Sequence, residues 1–153
     1  QMDDLAVVFV GDGFYKEQLK QMTVGAESSF TFLPPIPKQS IPSLFEAVDA
    51  VYVAAVDNGI ARFGICMNKL FDAMMGGKPI LYGVNAPNNY IEDYHCGVSV
   101  EAENIQALVE GICRLKEMPL NVREKLGNNG HEAALEFFNY RVLSQKFLGI
   151  LEE

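Results

Sequence analysis

Short apolar runs rich in β-branched residues alternate with segments of helical periodicity along the chain. The longest runs are residues 5–10, 50–56 and 79–84, and each is followed by glycine, aspartate or asparagine. Runs of this length and composition predict strands that are buried on both faces of a sheet. Because parallel strands need long crossover connections that helices supply, the alternation predicts an α/β fold, a doubly wound parallel sheet with helices on both faces.

Two shorter strands and the first helices follow the same alternation. The strands are predicted at residues 30–33 and 97–100. Helical spacing of Tyr15, Leu19 and Met22 predicts a helix between the first two strands. The prolines of residues 34–37 make a rigid connector that does not suit a sheet interior, and Ser40 is placed to cap the helix that follows.

The C-terminal third is predicted to be helical. Asn104 caps a helix, and five apolar side chains on one face of it are predicted to be core: Ile105, Leu108, Val109, Ile112 and Leu115. Residues 120–153 form a C-terminal helical tail with interruptions at residues 127–130 and near Asn139. With 153 residues, 49% of them apolar, the chain can build one sizeable core, so residues 1–153 are predicted to be a single domain.

Residues 64–82 carry the strongest indication of a binding site. They read as a loop that begins with glycine, a short helix with Lys69 and Asp72, a Gly-Gly stop, and an apolar strand. A loop that enters a helix at the carboxyl edge of a strand presents free backbone N–H groups and the positive end of the helix dipole, which suits a phosphate. Asp72, one turn further along, is placed to bind hydroxyl groups attached to that phosphate.

The charged residues of this helix also have simpler interpretations. A lone helix carboxylate such as Asp72 is more often a solvated surface group, and only its position behind the glycine-bearing loop favours a site. Lys69 is equally consistent with a phosphate ligand and with a surface charge. Cys66 lies in the loop, but no basic or histidine neighbour in the sequence lowers its pKa, so a nucleophilic role is not expected.

Four loops of unusual composition are predicted to lie at one edge of the sheet. They are residues 11–13, 34–38, 57–68 and 85–88, and each follows a predicted strand. In parallel α/β sheets, ligands bind outside the carboxyl ends of the strands, so this edge is the predicted binding site. The glycines of the first loop are equally consistent with a tight turn from strand to helix.

The net charge, the length of the apolar runs and the spacing of the cysteines disfavour nucleic acid, membranes and metal ions as partners. A net charge of -8 disfavours nucleic acid and anionic lipid. No apolar run approaches the roughly 20 residues that a membrane span needs, so no membrane contact is expected. The three cysteines have no metal-type spacing, and the two histidines are not grouped with them except in the adjacent pair at residues 95–96. A reducing compartment and no metal site are therefore expected.

An ordered set of short motifs covers nearly the whole chain. The motifs lie at residues 10–13, 30–32, 36–37, 47–50, 68–74, 77–80 and 96–100. In this order they resemble the C-terminal half of a retaining glycosyltransferase of family 4, of the bacterial surface-polysaccharide type. The resemblance implies the C-terminal domain of a GT-B architecture, in which two Rossmann-like domains face each other across a cleft.

The resemblance assigns roles in donor binding to particular residues. Asp72 matches the second carboxylate of the family motif, which binds the ribose hydroxyls. The first carboxylate, which contacts the sugar, would fall at Gly64, and a glycine has no side chain for that contact. The residues at the helix entrance face the diphosphate through their backbone amides, namely Ile65, Cys66, Met67 and Asn68. Lys69 is expected to add a charge there, while the loops of Gly11 and Ile36 complete the donor site, Ile36 presenting its backbone to the base.

The resemblance also implies what the intact enzyme does. It is expected to transfer a sugar from a nucleotide-diphosphate sugar to an acceptor hydroxyl in glycan or polysaccharide assembly, as a hexosyltransferase without a metal or cofactor. The acceptor-binding N-terminal domain and the first strand and helix of this domain are missing, so the chain is interpreted as a fragment that is inactive alone. The expected location is cytoplasmic, with the intact enzyme at the inner face of the membrane.

Two alternatives remain at this stage. Asp57 and Lys78-Pro79 superficially resemble a phosphoacceptor receiver module, although an acidic pair would then have to follow the first strand, whereas Asp3-Asp4 precedes it. A GT-B nucleotide-sugar 2-epimerase is the second alternative, because the residues that distinguish it from a transferase would lie in the missing domain.

Overall fold

A computed structural model describes residues 4–152. The strands in this part of the chain are β1 (Val7–Val10), β2 (Phe30–Leu33), β3 (Val51–Ala54), β4 (Ile80–Gly83) and β5 (Gly97–Val100). The helices are α1 (Lys16–Met22), α2 (Ile41–Glu46), α3 (Asn68–Met75), α4 (Tyr90–Asp93), α5 (Ile105–Glu117), α6 (Leu120–Phe137) and α7 (Tyr140–Leu151). Short 3-10 turns cover Lys38–Ser40 and Ala61–Phe63. The predicted alternation of strands and helices is confirmed.

The chain divides into two units, Gln1–Ile41 and Pro42–Glu153. In the first unit β1 pairs with β2 in parallel, with Val7 opposite Phe30. In the second unit the strand order is β3-β4-β5, and both pairings are parallel. Parallel strands alternating with helices confirm the α/β class, while the assignment of residues 1–153 to a single domain stays a prediction.

In the second unit, β4 is the middle strand and all of its residues are buried. Ile80 and Tyr82 point to a core that contains buried residues of α3 and α6, whereas Leu81 packs on the opposite face against the α5 side chain of Leu115. Successive side chains of a strand point to opposite faces, so β4 contributes side chains to two hydrophobic clusters, one on each face of the sheet. The continuous apolar run at residues 79–84 correctly predicted this strand.

Two other apolar runs are less buried than predicted. Tyr52 on β3 is 54% exposed, because β3 is the edge strand of the order β3-β4-β5 and, within residues 4–152, pairs with β4 alone. Val8 on β1 is 39% exposed in a two-stranded sheet. The prediction for the apolar face of α5 was also wrong for Ile105 and Val109, which are 79% and 36% exposed, whereas Leu108, Ile112 and Leu115 pack against the sheet. An apolar run has the same appearance in an edge strand and in a central one.

The predicted interruption at residues 127–130 was wrong, because α6 is continuous through them. Here the glycines serve close packing: a Cβ on Gly127 would overlap the carbonyl oxygen of Gly77 and lie 2.6 Å from its carbonyl carbon. A Cβ on Gly130 would lie 3.1 Å from the Cβ of Cys96. The predicted break near Asn139 is confirmed, since the Asn139 side chain accepts a hydrogen bond from Val142 N–H and caps α7.

The buried thiol of Cys96 makes stability depend on alkaline pH. Burial raises the pKa of Cys96 from 9.0 to about 11. The thiol therefore keeps its proton more tightly in the folded state than in the unfolded state. Its stabilising contribution is complete below pH 9 and is lost as the pH rises toward 11. Urea unfolding of wild type and Cys96→Ala from pH 8 to 11 should show the steeper loss in wild type, and parallel profiles would contradict this prediction.

Candidate functional site

Loops at the carboxyl edge of the three-stranded sheet are joined by side-chain hydrogen bonds. Asn85, which follows β4, donates from Nδ2 to Asp57 Oδ2 at 3.0 Å, and Asp57 lies in the loop after β3. Asn85 Oδ1 accepts from Ala102 N–H at 3.0 Å, beyond the end of β5. The loops predicted at residues 57–68 and 85–88 therefore do meet at this edge.

A second asparagine fastens the loop that leads into α3. Asn88 Oδ1 accepts from Ile65 N–H at 2.8 Å, and Asn88 Nδ2 donates to the Ile65 carbonyl oxygen at 2.7 Å. Gly64 has φ +97°, in the left-handed region that favours glycine. The Ile65 amide, one of the four that were expected to face a diphosphate, is thus already bonded within the protein.

The N-terminus of α3 leaves backbone donors without partners. Met67 is the N-cap residue, in extended conformation, and its side chain makes no capping hydrogen bond. Within residues 4–152, no hydrogen-bond acceptor lies in range of the N–H groups of Cys66, Met67 and Asn68. Free N–H groups at the positive end of a helix are suited to binding an anion.

An open cleft of about 540 Å³ adjoins this helix entrance. It is lined by Phe63, Gly64, Ile65, Cys66, Pro87, Asn88 and Tyr90. Three of the predicted site residues are among these, namely Gly64, Ile65 and Cys66, whereas Phe63, Asn88 and Tyr90 were not predicted to line a site. The signal for Asn88 was weak, because the asparagine-rich segment at residues 85–89 was recognised only as a loop.

Lys69 and Asp72 project from α3 away from its buried side. Leu70, Ala73 and Met74 form the buried side of this helix. Lys69 Nζ donates to the carbonyl oxygen of Ala54, the last residue of β3, at 3.0 Å, so its charge lies at the carboxyl edge of the sheet. The Asp72 side chain is half-buried and has no hydrogen-bond or ion-pair partner among residues 4–152.

The remaining predicted site residues lie in the first unit. Gly11 follows β1 with φ +133°, and its carbonyl accepts from Lys16 Nζ at 2.8 Å. Lys16 Nζ also donates to the Leu33 carbonyl at 3.1 Å, so it joins the ends of β1 and β2. Ile36 is half-buried in the proline-rich connector. Of the nine predicted residues, the structure therefore groups seven in the second unit and two in the first.

Two tyrosines of the three-stranded sheet, Tyr52 and Tyr82, have raised pKa values. Burial raises the pKa of Tyr52 and that of Tyr82, and the nearby Tyr90 adds to the shift of Tyr82. Both phenols are therefore protonated at neutral pH.

Among residues 4–152, no group of three His, Cys, Asp or Glu side chains is arranged to hold a metal, and no helix is long and apolar enough to cross a bilayer. The groups at this edge without a partner among residues 4–152 include backbone N–H donors and the Asp72 carboxylate, which are hydrogen-bonding groups.

Fold and site together define a parallel α/β protein with an open cleft at the carboxyl ends of its strands, next to backbone amides that have no hydrogen-bond partner among residues 4–152. The family described as "Glycosyl transferases group 1" matches residues 1–133, and the chain belongs to that family. No curated protein matches the sequence.

Several solved structures share the fold. Anabaena Alr3699/HepE in complex with UDP is 20% identical, with a TM-score of 0.77 over 97% of this chain and 41% of that one. Sucrose-phosphate synthase from Thermosynechococcus elongatus is 15% identical, with a TM-score of 0.74 over 95% and 37% of the two chains. WaaG, a glycosyltransferase involved in lipopolysaccharide biosynthesis, is 20% identical, with a TM-score of 0.68 over 92% and 36%. This chain spans 36–41% of the length of these proteins.

Proposed function

We propose that this chain is the nucleotide-diphosphate-sugar donor-binding domain of a retaining glycosyltransferase of family 4. The observation that carries the proposal is the uncapped N-terminus of α3, which has three free amides and adjoins the cleft, in a member of the glycosyltransferase group 1 family. Structures of Alr3699/HepE are described in complex with UDP, with UDP-glucose, and with UDP and glucose. That protein shares the fold and supports a nucleotide-sugar donor for this one.

The proposed roles follow the geometry residue by residue. The N–H groups of Cys66, Met67 and Asn68 bind the diphosphate. The Ile65 N–H is not one of these donors, because it already donates to Asn88 Oδ1 and so fixes the loop. Asp72 accepts hydrogen bonds from the ribose hydroxyls, which an unpaired, half-buried carboxylate is suited to do. Lys69 adds a positive charge at the same edge. Gly11 and Ile36 lie in the first unit, and their part in donor binding stays a prediction from the family resemblance.

In the intact enzyme these groups would stabilise the departing nucleotide diphosphate. Amides that are fixed before the reaction need no reorganisation as charge develops on the leaving group, so they lower the barrier without a metal. The acceptor hydroxyl attacks the sugar on the face that the diphosphate leaves, and a further domain supplies the acceptor. We assign the enzyme to hexosyl transfer in glycan or polysaccharide assembly on the cytoplasmic side of the membrane, with this domain inactive alone.

The receiver alternative is excluded by the family match and by the positions of its two residues. In a receiver module the lysine gathers with the phosphorylated aspartate around magnesium. Here Asp57 follows the carboxyl end of β3, whereas Lys78 precedes the amino end of β4. Lys78 Nζ donates to the Glu46 carbonyl oxygen at 3.5 Å. Parallel strands place these residues at opposite ends of the sheet. No structural observation favours the epimerase alternative.

A nucleotide panel tests the proposed function. Titration of the ¹⁵N-labelled protein with UDP, GDP and ADP is expected to shift the amide resonances of Cys66, Met67 and Asn68 for at least one nucleotide. Resonances at the amino ends of the strands, such as that of Asp49, should stay unchanged. Shifts confined to the amino ends, or no response to any of the three nucleotides, would overturn the proposal.

A further inference from the structure

We propose that Asn88 is a positioning residue that holds residues 64–67 in the shape in which their amides bind a diphosphate; this inference rests on the function proposed above. Its carboxamide accepts from Ile65 N–H at 2.8 Å and donates to the Ile65 carbonyl oxygen at 2.7 Å. An asparagine side chain offers one acceptor oxygen and two donor hydrogens, so it satisfies both backbone groups of one residue. The pair fixes the orientation of the Ile65 peptide groups as well as their position.

The side chains of Ile65 and Met67 anchor the loop between the 3-10 turn and α3 on the core, but few hydrogen bonds fix the orientation of its backbone. Gly64 N–H donates to the Ala61 carbonyl oxygen at 2.9 Å, which closes the 3-10 turn. Within the described chain, the two bonds to Asn88 are the other hydrogen bonds of residues 64–66. Gly64 has wide conformational freedom, which increases the entropic cost of keeping the loop in one shape. Loss of the Asn88 pair would therefore leave the Ile65 peptide groups without hydrogen bonds and loosen the orientation of the following amides, while the Ile65 and Met67 side chains stay packed on the core.

Asn88 also fills the space in which a side chain at position 64 would begin. A Cβ on Gly64 would lie 3.3 Å from Asn88 Oδ1 and 3.8 Å from its Cγ. The resemblance implied a glutamate at this position, and the chain has glycine beside a neutral carboxamide instead. A neutral group here fastens the loop without placing a negative charge next to a bound diphosphate.

The neighbours of Asn88 hold it in place. Pro87 precedes it and restricts the backbone. Asn89 follows it, and the Asn89 side chain caps α4 by accepting from Ile91 N–H and Glu92 N–H. Asn89 Nδ2 also donates to Ser99 Oγ on β5 at 2.8 Å. The carboxamide of Asn88 is therefore presented from a well-anchored segment, as a positioning residue requires.

The test compares Asn88→Ala with Asn129→Ala. Asn129 is the matched control, because its Nδ2 donates to the His95 carbonyl oxygen at 2.9 Å on a different part of the unit. Without ligand, Asn88→Ala is expected to speed hydrogen exchange at the Ile65 amide and to broaden or shift the resonances of Cys66 and Met67. The affinity of Asn88→Ala for the nucleoside diphosphate that shifts the wild-type spectrum most is expected to fall about tenfold. Its affinity for the corresponding monophosphate should fall by a smaller factor. Asn129→Ala should match wild type in affinity.

A second variant keeps the test decisive if Asn88→Ala does not fold. Asn88→Asp keeps an acceptor for Ile65 N–H, loses the donor to the Ile65 carbonyl and adds a negative charge, so it should also bind the diphosphate more weakly. Equal affinities in the folded Asn88 and Asn129 variants, equal losses for diphosphate and monophosphate, or unchanged exchange at Ile65 in a folded Asn88→Ala would each overturn the inference. A wild-type protein that binds no nucleotide would instead overturn the proposed function on which the inference rests.

Discussion

Gly127→Ala is expected to lower the free energy of unfolding by at least about 2 kcal/mol, the opposite of what helix propensity predicts. In an exposed helix interior, replacing glycine with alanine stabilises by about 1 kcal/mol. At Gly127 the new Cβ would overlap the backbone carbonyl of Gly77, and a backbone group cannot move aside as a flexible side chain can. Relief would require α6 to shift away from the turn between α3 and β4, which would disturb the buried face of β4.

Urea denaturation measures this effect, and Gly149→Ala is its matched control. Gly149 lies in α7, and a Cβ there would meet no atom within 4 Å. The control should be neutral or more stable by up to about 1 kcal/mol, because only helix propensity acts on it. If Gly127→Ala unfolded at the same urea concentration as Gly149→Ala, the close contact between α6 and Gly77 would not contribute to stability.

Asp72→Ala is expected to weaken binding of the preferred nucleoside diphosphate by about tenfold to a hundredfold, because a hydrogen bond to a charged group contributes roughly 1.5–3 kcal/mol. The free energy of unfolding should change by less than about 0.5 kcal/mol, since the Asp72 carboxylate has no partner in residues 4–152. A large loss of affinity with unchanged stability is the combination expected for a ligand contact. Calorimetric or NMR titration gives the affinity, and urea unfolding gives the stability.

Asp49→Ala serves as the control for this substitution. Asp49 is exposed and precedes β3, so it lies at the amino end of the sheet, opposite the proposed site. It should bind the nucleotide as wild type does. An Asp72→Ala variant with wild-type affinity would remove Asp72 from the donor site, even if the amides of residues 66–68 still responded to the nucleotide.

Features with a strong local pattern were predictable from sequence. The continuous apolar run of β4 and the boundaries of β5 are as expected, and Asn104 accepts from Ala107 N–H as the predicted cap of α5. The short helix that carries Lys69 and Asp72, with a glycine after it, is α3. In each case neighbouring residues alone decide the structure, through strand composition, helical spacing or a side-chain cap.

Contacts between distant segments were not predictable in this way. The Asn88 pair joins residues 23 apart, and its partners on Ile65 are backbone groups that leave no trace in residue type. The local propensity of the α6 glycines predicted a break, yet the helix is continuous and Gly127 lies against the backbone of Gly77. Likewise, no local pattern showed that Tyr52 lies on an edge strand and Ile105 outside the core.

The amino-acid sequence by itself determined the alternation of strands and helices, the short helix that carries Lys69 and Asp72, and the loops that follow β3 and β4. Tertiary structure alone decided which backbone amides of the loop into α3 are free and which one is bonded to Asn88. The physical reason is that periodicity and caps depend on residues within a few positions of each other. The state of a backbone donor depends instead on whichever group the fold brings within hydrogen-bond distance.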